Sequence, residues 1–201
     1  MIVFKKKFFF IIENTKDIDL KKLKNSSKFN IIYRFNKLKQ NINELLNFRE
    51  KCRSKKIEFY VSNNLVLAKN LKADGLYISA HNKNFRLSFF KQFNFKIIGS
   101  AHNIKEINIK KKQGCSNIFF SRLFETNYNE KKGFLGVVKF NLFKSKISEN
   151  LIPLGGINRK TFNKLKIVDC DSFALSSEIK KNNNLNKFLY WQKKRGVNAP
   201  F

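Results

Sequence analysis

The chain has 201 residues, of which 42% are hydrophobic and 23 are Phe, so it can bury one core and is too apolar to be a disordered chain. Its formal net charge is +28, but the basic residues are scattered and form no nucleic-acid-binding motif. The charge therefore predicts a lysine-rich surface that favours small anionic ligands and attracts nucleic acid only non-specifically.

Short runs rich in Phe, Ile and Val alternate along the chain with segments whose apolar residues recur every three or four positions. This is the pattern of buried strands alternating with amphipathic helices. Strands are predicted at residues 8–12, 30–34, 58–62, 75–78, 96–100, 117–120, 151–154 and 172–175. Helices are predicted at residues 17–23, 42–55, 65–71, 84–93, 104–113, 137–146, 159–165 and 185–191.

Strict alternation of strands and helices predicts parallel pairing, and eight such units in 201 residues favour a single (βα)8 barrel. No linker or composition break divides the chain, so one domain is expected over residues 1–201. A doubly wound open sheet is the alternative, since pattern boundaries carry errors of about two to four residues. In a barrel, the loops after the strands hold the active site, and the last two commonly bind a phosphate.

The three cysteines, Cys52, Cys115 and Cys170, are widely separated and lack a C-x-x-C spacing, so neither a disulfide framework nor a zinc site is predicted. In the amino-terminal sequence MIVFKKKFFFII, charged and apolar residues stand in the wrong order for a signal peptide. No apolar run approaches the roughly 18 residues of a membrane span. We therefore expect a cytoplasmic protein with no membrane association.

The strongest local motif is the apolar strand that ends at Leu154 and is followed by Gly155 and Gly156. Two consecutive glycines allow backbone N–H groups to approach an anion closely. After the next strand, Ser176 and Ser177 would add hydroxyl and N–H groups at the start of a helix. A tight glycine turn with two capping serines is the alternative, but at strands seven and eight of a barrel the motif favours phosphate binding.

Four segments resemble the thiamine-phosphate synthase/TenI family, and they occur in the family's order. They are KADGLYI at residues 72–78, IIGSAHN at 97–103, LGGI at 154–157 and SFALSSEI at 172–179. A fifth segment, FSRLFETN at 120–127, is similar to the TenI branch, in which a Phe-Glu-Thr run follows the sixth strand. The resemblance spans about residues 8–179, and it implies the same barrel with a phosphate site at strands seven and eight.

The resemblance also implies a role in thiamine biosynthesis. A synthase of this family is a transferase that joins hydroxymethylpyrimidine diphosphate to thiazole phosphate, with magnesium neutralising the departing diphosphate. Small phosphorylated ligands are therefore the expected partners, and the oligomeric state is left open. The candidate catalytic residues are Arg34, Lys37, His81, Ser100 and Thr126. The candidate phosphate-binding residues are Gly155, Gly156, Ser176 and Ser177.

Magnesium binding is uncertain on the sequence alone, because Asn63 and Asn82 stand where the family has the aspartates of its metal site. An amide oxygen can ligate magnesium, but both formal charges are lost, and Mg²⁺ prefers carboxylate and phosphate oxygens. The diphosphate itself could still bring the ion in. The synthase loop also departs from the family, with Tyr128 in place of its second threonine and Asn129 or Lys131 at its lysine.

Two alternative functions stay open. A metal-independent TenI-like thiazole tautomerase needs a proton carrier, and Arg122, which cannot shuttle protons near neutral pH, stands at that branch's histidine. The chain's two histidines, His81 and His102, follow predicted strands four and five, and His81 is the candidate for a relay. The sequence identifies no carboxylate partner for either. The other alternative is a non-catalytic barrel that binds a phosphorylated ligand or a partner.

Overall fold

A computed structural model describes residues 7–23, 26–34, 41–93, 95–126 and 133–176. The strands are β1 Lys7–Ile12, β2 Phe29–Tyr33, β3 Glu58–Ser62, β4 Gly75–Ile78, β5 Lys96–Ala101, β6 Asn117–Ser121, β7 Asn150–Leu154 and β8 Ser172–Leu175. Consecutive strands pair in parallel, and β8 pairs with β1, so the sheet closes. The predicted (βα)8 barrel is confirmed, and the alternative of an open sheet is wrong.

Four α-helices are present among the described residues: α1 Ile42–Ser54, α2 Leu65–Asn70, α3 Ile104–Lys112 and α4 Gly136–Lys146. The first three begin after Asn41, Asn64 and Asn103, whose side chains accept a hydrogen bond from a backbone N–H in the first turn. These caps explain why the sequence pattern located the helix starts well. The helix predicted at residues 185–191 lies outside the described residues.

Three other predicted helices are wrong in type, because the structure has 3₁₀ helices there. These are Thr15–Asp17 and Leu20–Lys22, then Phe85–Phe93, then Phe162–Ile167. In the first segment, Ile18 adopts an extended backbone conformation and is buried, which divides the segment into two short turns. A 3₁₀ helix also rises about 2.0 Å per residue, against 1.5 Å in an α-helix. The chain therefore needs fewer residues in a 3₁₀ helix than in an α-helix to run back along the length of a strand.

The apolar core has two parts, one inside the barrel and one between the strands and the surrounding helices. Phe119 lies in the barrel interior, with its ring 5.0 Å from that of Phe9 and 5.7 Å from that of Tyr77. Each fully buried large side chain contributes roughly 1.5–3 kcal/mol. The interior is therefore packed with side chains, and any ligand site must lie at an end of the barrel.

Because all strands run in the same direction, their carboxyl ends lie at one end of the barrel, here called the rim. Cys52, Cys115 and Cys170 are all buried and have free thiols. No helix in the described part of the chain is long and apolar enough to span a membrane.

Candidate active site

The barrel brings most of the candidate residues together at the rim. They follow or end successive strands: Arg34 after β2, Asn63 after β3, His81 and Asn82 after β4, Ser100 in β5, Thr126 after β6, Gly155 and Gly156 after β7, and Ser176 after β8. Five other residues fall outside the described part of the chain: Lys37, Tyr128, Asn129, Lys131 and Ser177. Their roles remain predictions.

The glycine loop, defined as Gly155 and Gly156, has φ angles of 93° and 67°. This left-handed region strongly favours glycine. A Cβ on Gly156 would overlap with the carbonyl oxygens of Phe124 and Glu125. A Cβ on Gly155 would lie 3.1 Å from the Cγ atom of Arg122. The loop after β6 therefore packs directly on the glycine loop, and a larger residue at position 156 would displace it.

The carbonyl groups of the glycine loop are engaged within the protein. Thr161 donates its hydroxyl hydrogen to the Gly156 carbonyl at 2.8 Å, and the Phe124 N–H donates to the Gly155 carbonyl at 3.1 Å. Among the described residues, the N–H groups of Gly155, Gly156 and Ile157 have no acceptor. These donors are the type of group that binds an oxyanion.

The loop after β8 lies next to the glycine loop, because β7 pairs with β8 and Leu154 is opposite Ala174. Ser176 comes directly after β8. The structure thus brings the described part of the predicted phosphate site to one place on the rim, as expected from the order of the strands. Ser177, the second predicted serine, lies outside the described residues.

Arg122 organises the loop that packs on these glycines. Its Nη1 donates to the Thr126 hydroxyl at 2.7 Å, and its Nη2 donates to the Gly133 carbonyl at 2.9 Å. The guanidinium therefore binds its own loop and fixes the position of Thr126. This contact gives Arg122 a structural role at the position where the TenI branch has a proton carrier.

Arg34 forms an ion pair with Glu13 at the ends of the first two strands. Ile12 is opposite Tyr33 in the sheet, so the residues that follow them, Glu13 and Arg34, meet at the rim. Glu13 is a residue of this site that was not predicted from the sequence. The signal that could have identified it is its position directly after a buried strand, which is also the position of Arg34.

Tyr77 and Ser100 form the floor of the rim between β4 and β5. Both are buried. Burial raises the pKa of Tyr77, while the Ser100 hydroxyl and the positive charge of Arg34 act in the opposite direction. From the sequence, Tyr77 was predicted only as part of a strand.

The amide pair, defined as Asn63 and Asn82, occupies the positions of the family's metal ligands. The two side chains contact each other, since the Nδ2 of Asn82 donates to the Oδ1 of Asn63 at 3.1 Å. The same Asn63 oxygen accepts a hydrogen bond from the Ser79 N–H at 3.0 Å. The Oδ1 of Asn82 accepts one from the Asn84 N–H at 2.9 Å.

This arrangement does not fit Mg²⁺. Neither member of the amide pair carries a charge, and each side-chain oxygen already accepts at least one hydrogen bond within the protein. Mg²⁺ demands near-ideal octahedral geometry from oxygen ligands, usually including carboxylates. No cluster of three or more His, Cys, Asp or Glu side chains suited to a metal occurs among the described residues.

The two histidines meet at the rim, with ring centroids 6.0 Å apart and planes inclined by 28°. The sequence identified no carboxylate partner for either histidine, and the structure places one beside His102. Its Nδ1 lies 3.0 Å from the Oε2 of Glu106, which also accepts the His102 N–H at 2.7 Å. Burial acts to raise the pKa of Glu106, but the hydrogen bonds from His102 outweigh it and the pKa is lowered. The overlooked signal was the i,i+4 spacing at the start of α3.

Comparisons with known proteins connect this chain to one family. A family model described as thiamine monophosphate synthase matches residues 27–179. A thiamine-phosphate synthase of Pelagibacter ubique is 27% identical over 187 residues, covering 87% of this chain and 89% of that protein. One from Prochlorococcus marinus subsp. pastoris is 29% identical over 129 residues, which cover 64% of this chain. A bifunctional thiamine biosynthesis protein of Geobacter sulfurreducens is 30% identical over 132 residues, which cover 65% of this chain.

The matched region spans only 37% of the Prochlorococcus protein and 26% of the Geobacter protein. Among solved structures, the thiamine phosphate pyrophosphorylase from Pyrococcus furiosus superposes with a TM-score of 0.68 at 16% identity, covering 94% of this chain and 97% of that one. A truncated 3-deoxy-D-arabino-heptulosonate 7-phosphate synthase from Thermotoga maritima gives a TM-score of 0.66 at 15% identity, covering 96% and 86%. At these identities the structural matches show the fold alone.

Proposed function

The chain belongs to the thiamine monophosphate synthase family, and from this premise we propose that it acts in thiamine biosynthesis by binding thiazole phosphate at the glycine loop. The glycine loop is the observation that carries the proposal. Its left-handed backbone presents N–H groups that have no acceptor among the described residues, beside Ser176 on the neighbouring loop. Such a group of donors suits a phosphate. In this proposal the protein works in the cytoplasm, and its partners are small phosphorylated ligands.

The family reaction would couple this thiazole phosphate to hydroxymethylpyrimidine diphosphate. A bond forms between the thiazole nitrogen and the pyrimidine methylene carbon, and the bond from that carbon to the diphosphate oxygen breaks. In this chain Arg34, oriented by Glu13, would attract the diphosphate. Tyr77 and Ser100 would support the pyrimidine from below, and Thr126, held by Arg122, would contact the ligands from the loop after β6.

A second candidate is a metal-independent thiazole tautomerase of the TenI type, and the pairing of His102 with Glu106 favours it. A histidine side chain oriented by a carboxylate is a common proton carrier in catalysis. This pair would take over the role of the TenI histidine, whose position is occupied by Arg122 in this chain. A barrel that binds the ligand without turnover is the remaining form of the proposal, and the hydrogen-bonded amide pair is compatible with it.

A thermal-shift and turnover experiment tests the proposal. Unmodified protein is titrated with thiazole phosphate, with the thiazole alcohol that lacks the phosphate, and with hydroxymethylpyrimidine diphosphate, each with and without Mg²⁺. We expect thiazole phosphate to raise Tm and the alcohol to leave it unchanged. Equal shifts with both thiazoles, or none with any ligand, would contradict a phosphate site at the glycine loop.

Turnover then separates the activities. Magnesium-dependent release of diphosphate with formation of thiamine phosphate supports the synthase. Interconversion of thiazole tautomers without metal supports the second candidate, and binding without either reaction supports the non-catalytic form.

A further inference from the structure

Lys110 lies in the last turn of α3, and its exposed fraction is 0%. Its aliphatic stem passes over Gly99 of β5, where an added Cβ would lie 2.9 Å from the Lys110 Cδ. An ammonium group is costly to bury unless it is hydrogen-bonded, and burial lowers the pKa of Lys110. The other lysines of this turn, Lys111 and Lys112, are exposed. A buried lysine at this place therefore calls for a function.

The Lys110 ammonium reaches the loop after β4, residues 79–84. Its Nζ donates to the Asn82 carbonyl at 2.7 Å and to the Oε1 of Gln113 at 2.8 Å. Gln113 is also fully buried, and its Nε2 donates to the carbonyls of Asn82 and Asn84 at 3.0 and 3.1 Å. Two buried side chains thus make three hydrogen bonds to the backbone of this loop. One of these bonds is charge-assisted, which makes it roughly twice as strong as a neutral one.

The same loop contributes one half of the amide pair. The Asn82 carbonyl accepts a hydrogen bond from Lys110, while the Asn82 side chain donates one to Asn63. Asn63 in turn accepts the N–H of Ser79 at the start of the loop. The loop is therefore held by hydrogen bonds at both ends, and the Lys110 ammonium binds the backbone of one member of the amide pair.

We propose that Lys110 is a positioning residue that fixes residues 79–84 in the conformation that binds a diphosphate group at the rim without a divalent cation. This inference rests on the proposed function for the identity of the ligand class. A loop already held in its bound conformation avoids an ordering cost on binding, and a fixed positive charge bonded to its backbone favours an anion. The glycine loop follows β7, three strands further along the barrel than the loop after β4. It takes part in none of these contacts.

The test compares two variants of α3 that each lose one positive charge, the buried change Lys110→Met and the exposed change Lys112→Met. Inorganic pyrophosphate and thiazole phosphate are titrated calorimetrically at constant ionic strength, with EDTA or with Mg²⁺. We expect unmodified protein to bind pyrophosphate with a Kd that changes less than about threefold between EDTA and Mg²⁺. Lys110→Met should weaken this binding by about tenfold or more, and Lys112→Met by less than about twofold, because exposed charges are screened.

Thiazole phosphate separates a local effect from a general loss of structure. Its affinity should stay within about twofold in Lys110→Met, whereas a destabilised barrel would lose both ligands. If Lys110→Met does not fold, Gln113→Leu retains the charge and removes two of the three loop contacts, and it should weaken pyrophosphate binding in the same way. Three results would overturn the inference. They are equal pyrophosphate affinities of the two lysine variants, a loss of binding of both ligands in Lys110→Met, and a strong requirement for Mg²⁺ when unmodified protein binds pyrophosphate. Failure of unmodified protein to bind thiazole phosphate would count against the proposed function instead.

Discussion

Single residues at the rim show how the site differs from a carboxylate-based metal site. Asn63 has a φ angle of 54°, a left-handed conformation that Asn and Asp tolerate better than other non-glycine residues. An aspartate would therefore fit the backbone at this position. The neutral side chain is what allows Asn82 to contact it at 3.1 Å, since two carboxylates at this distance would repel each other.

Restoring both acidic residues should make the protein respond to magnesium. In Asn63→Asp with Asn82→Asp, the amide hydrogen bond is lost and two negative charges lie close together, so we expect a lower Tm in EDTA and its recovery on addition of Mg²⁺. Unmodified protein should show no such recovery. The affinity for thiazole phosphate should be nearly unaltered, because the glycine loop is separate.

Differential scanning fluorimetry across a magnesium titration measures this effect, with Asn64→Asp as the control. Asn64 caps α2 and is not part of the amide pair, so its replacement by another capping residue should not create a response to magnesium. If the chain is a synthase, the double variant should also turn over faster at low Mg²⁺. A double variant that is as insensitive to Mg²⁺ as unmodified protein would show that these positions do not form a metal site even with carboxylates.

The second residue-scale prediction concerns Gly156. In Gly156→Ala, the new methyl group overlaps with the carbonyls of Phe124 and Glu125, so either the glycine loop or the loop after β6 must move. We expect a loss of about 1–3 kcal/mol in the free energy of unfolding and at least tenfold weaker binding of thiazole phosphate. Gly133→Ala is the matched control, because Gly133 also has a positive φ of 88° but no atom lies within 4 Å of its added Cβ.

Urea unfolding and calorimetry give the two quantities. Backbone strain alone should destabilise Gly133→Ala without weakening the binding of thiazole phosphate. Equal ligand affinity in the two variants would mean that the phosphate does not bind at the glycine loop.

Among the elements, α1 is attached to the loop before β4 by a largely buried guanidinium. The side chain of Arg49 is 8% exposed, and it donates to the Lys72 carbonyl through two nitrogens at 3.1 Å and to the Asp74 Oδ1 at 3.0 Å. The other oxygen of Asp74 accepts the N–H of Phe59 at 2.7 Å. These contacts connect a helix with two strands at the end of the barrel opposite the rim.

Removing Arg49 should destabilise the fold without altering the site. For Arg49→Leu we expect about 2–4 kcal/mol of lost unfolding free energy, because Asp74 and the Lys72 carbonyl lose their partner. The exposed change Arg53→Leu on the same helix should cost less than about 0.5 kcal/mol. Urea denaturation measures both, and a similar cost for the two variants would contradict this account of the contact.

The carboxylate of Glu58, the first residue of β3, predicts part of the acid sensitivity. Burial acts to raise the pKa of Glu58, but the Lys96 ammonium and the Tyr60 hydroxyl outweigh it, so the pKa is lowered. A depressed folded-state pKa stabilises the protein above the unfolded-state value, and this contribution is lost as the pH falls through the folded-state pKa. The stability of Glu58→Gln should therefore fall less steeply than that of unmodified protein as the pH is lowered below about 4.5. Parallel acid limbs in the two proteins, measured by urea unfolding at a series of pH values, would refute this.

At the scale of the whole molecule, the charge of +28 is a general electrostatic property. Scattered lysines predict that short duplexes of unrelated sequence bind equally, with a Kd that rises at least about tenfold between roughly 50 and 200 mM salt, because bound counterions are released. Fluorescence anisotropy with several labelled duplexes measures this. Binding that selects one sequence and persists at physiological salt would show a specific nucleic-acid site instead.

Sequence by itself determined where the strands lie. Each of the eight predicted strands agrees with the structure to within about one residue at either end, because a run such as Phe8 to Ile12 is apolar enough to be buried whichever strands lie beside it. Gly155 and Gly156 also indicated an unusual backbone conformation after β7, and their positive φ angles agree with this. Their role in phosphate binding stays a prediction.

Only the tertiary structure decided closure of the barrel and the chemistry of the rim. Pairing of β1 with β8 joins segments more than 160 residues apart, and the contact between Asn63 and Asn82 depends on the course of two loops. Lys110 resembles its exposed neighbours in sequence. It differs from them only because Gly99 leaves space for its side chain and Gln113 accepts a hydrogen bond from its ammonium group. Local periodicity reports which face of an element is apolar, whereas pairing partners and the burial of a charge are set by packing in three dimensions.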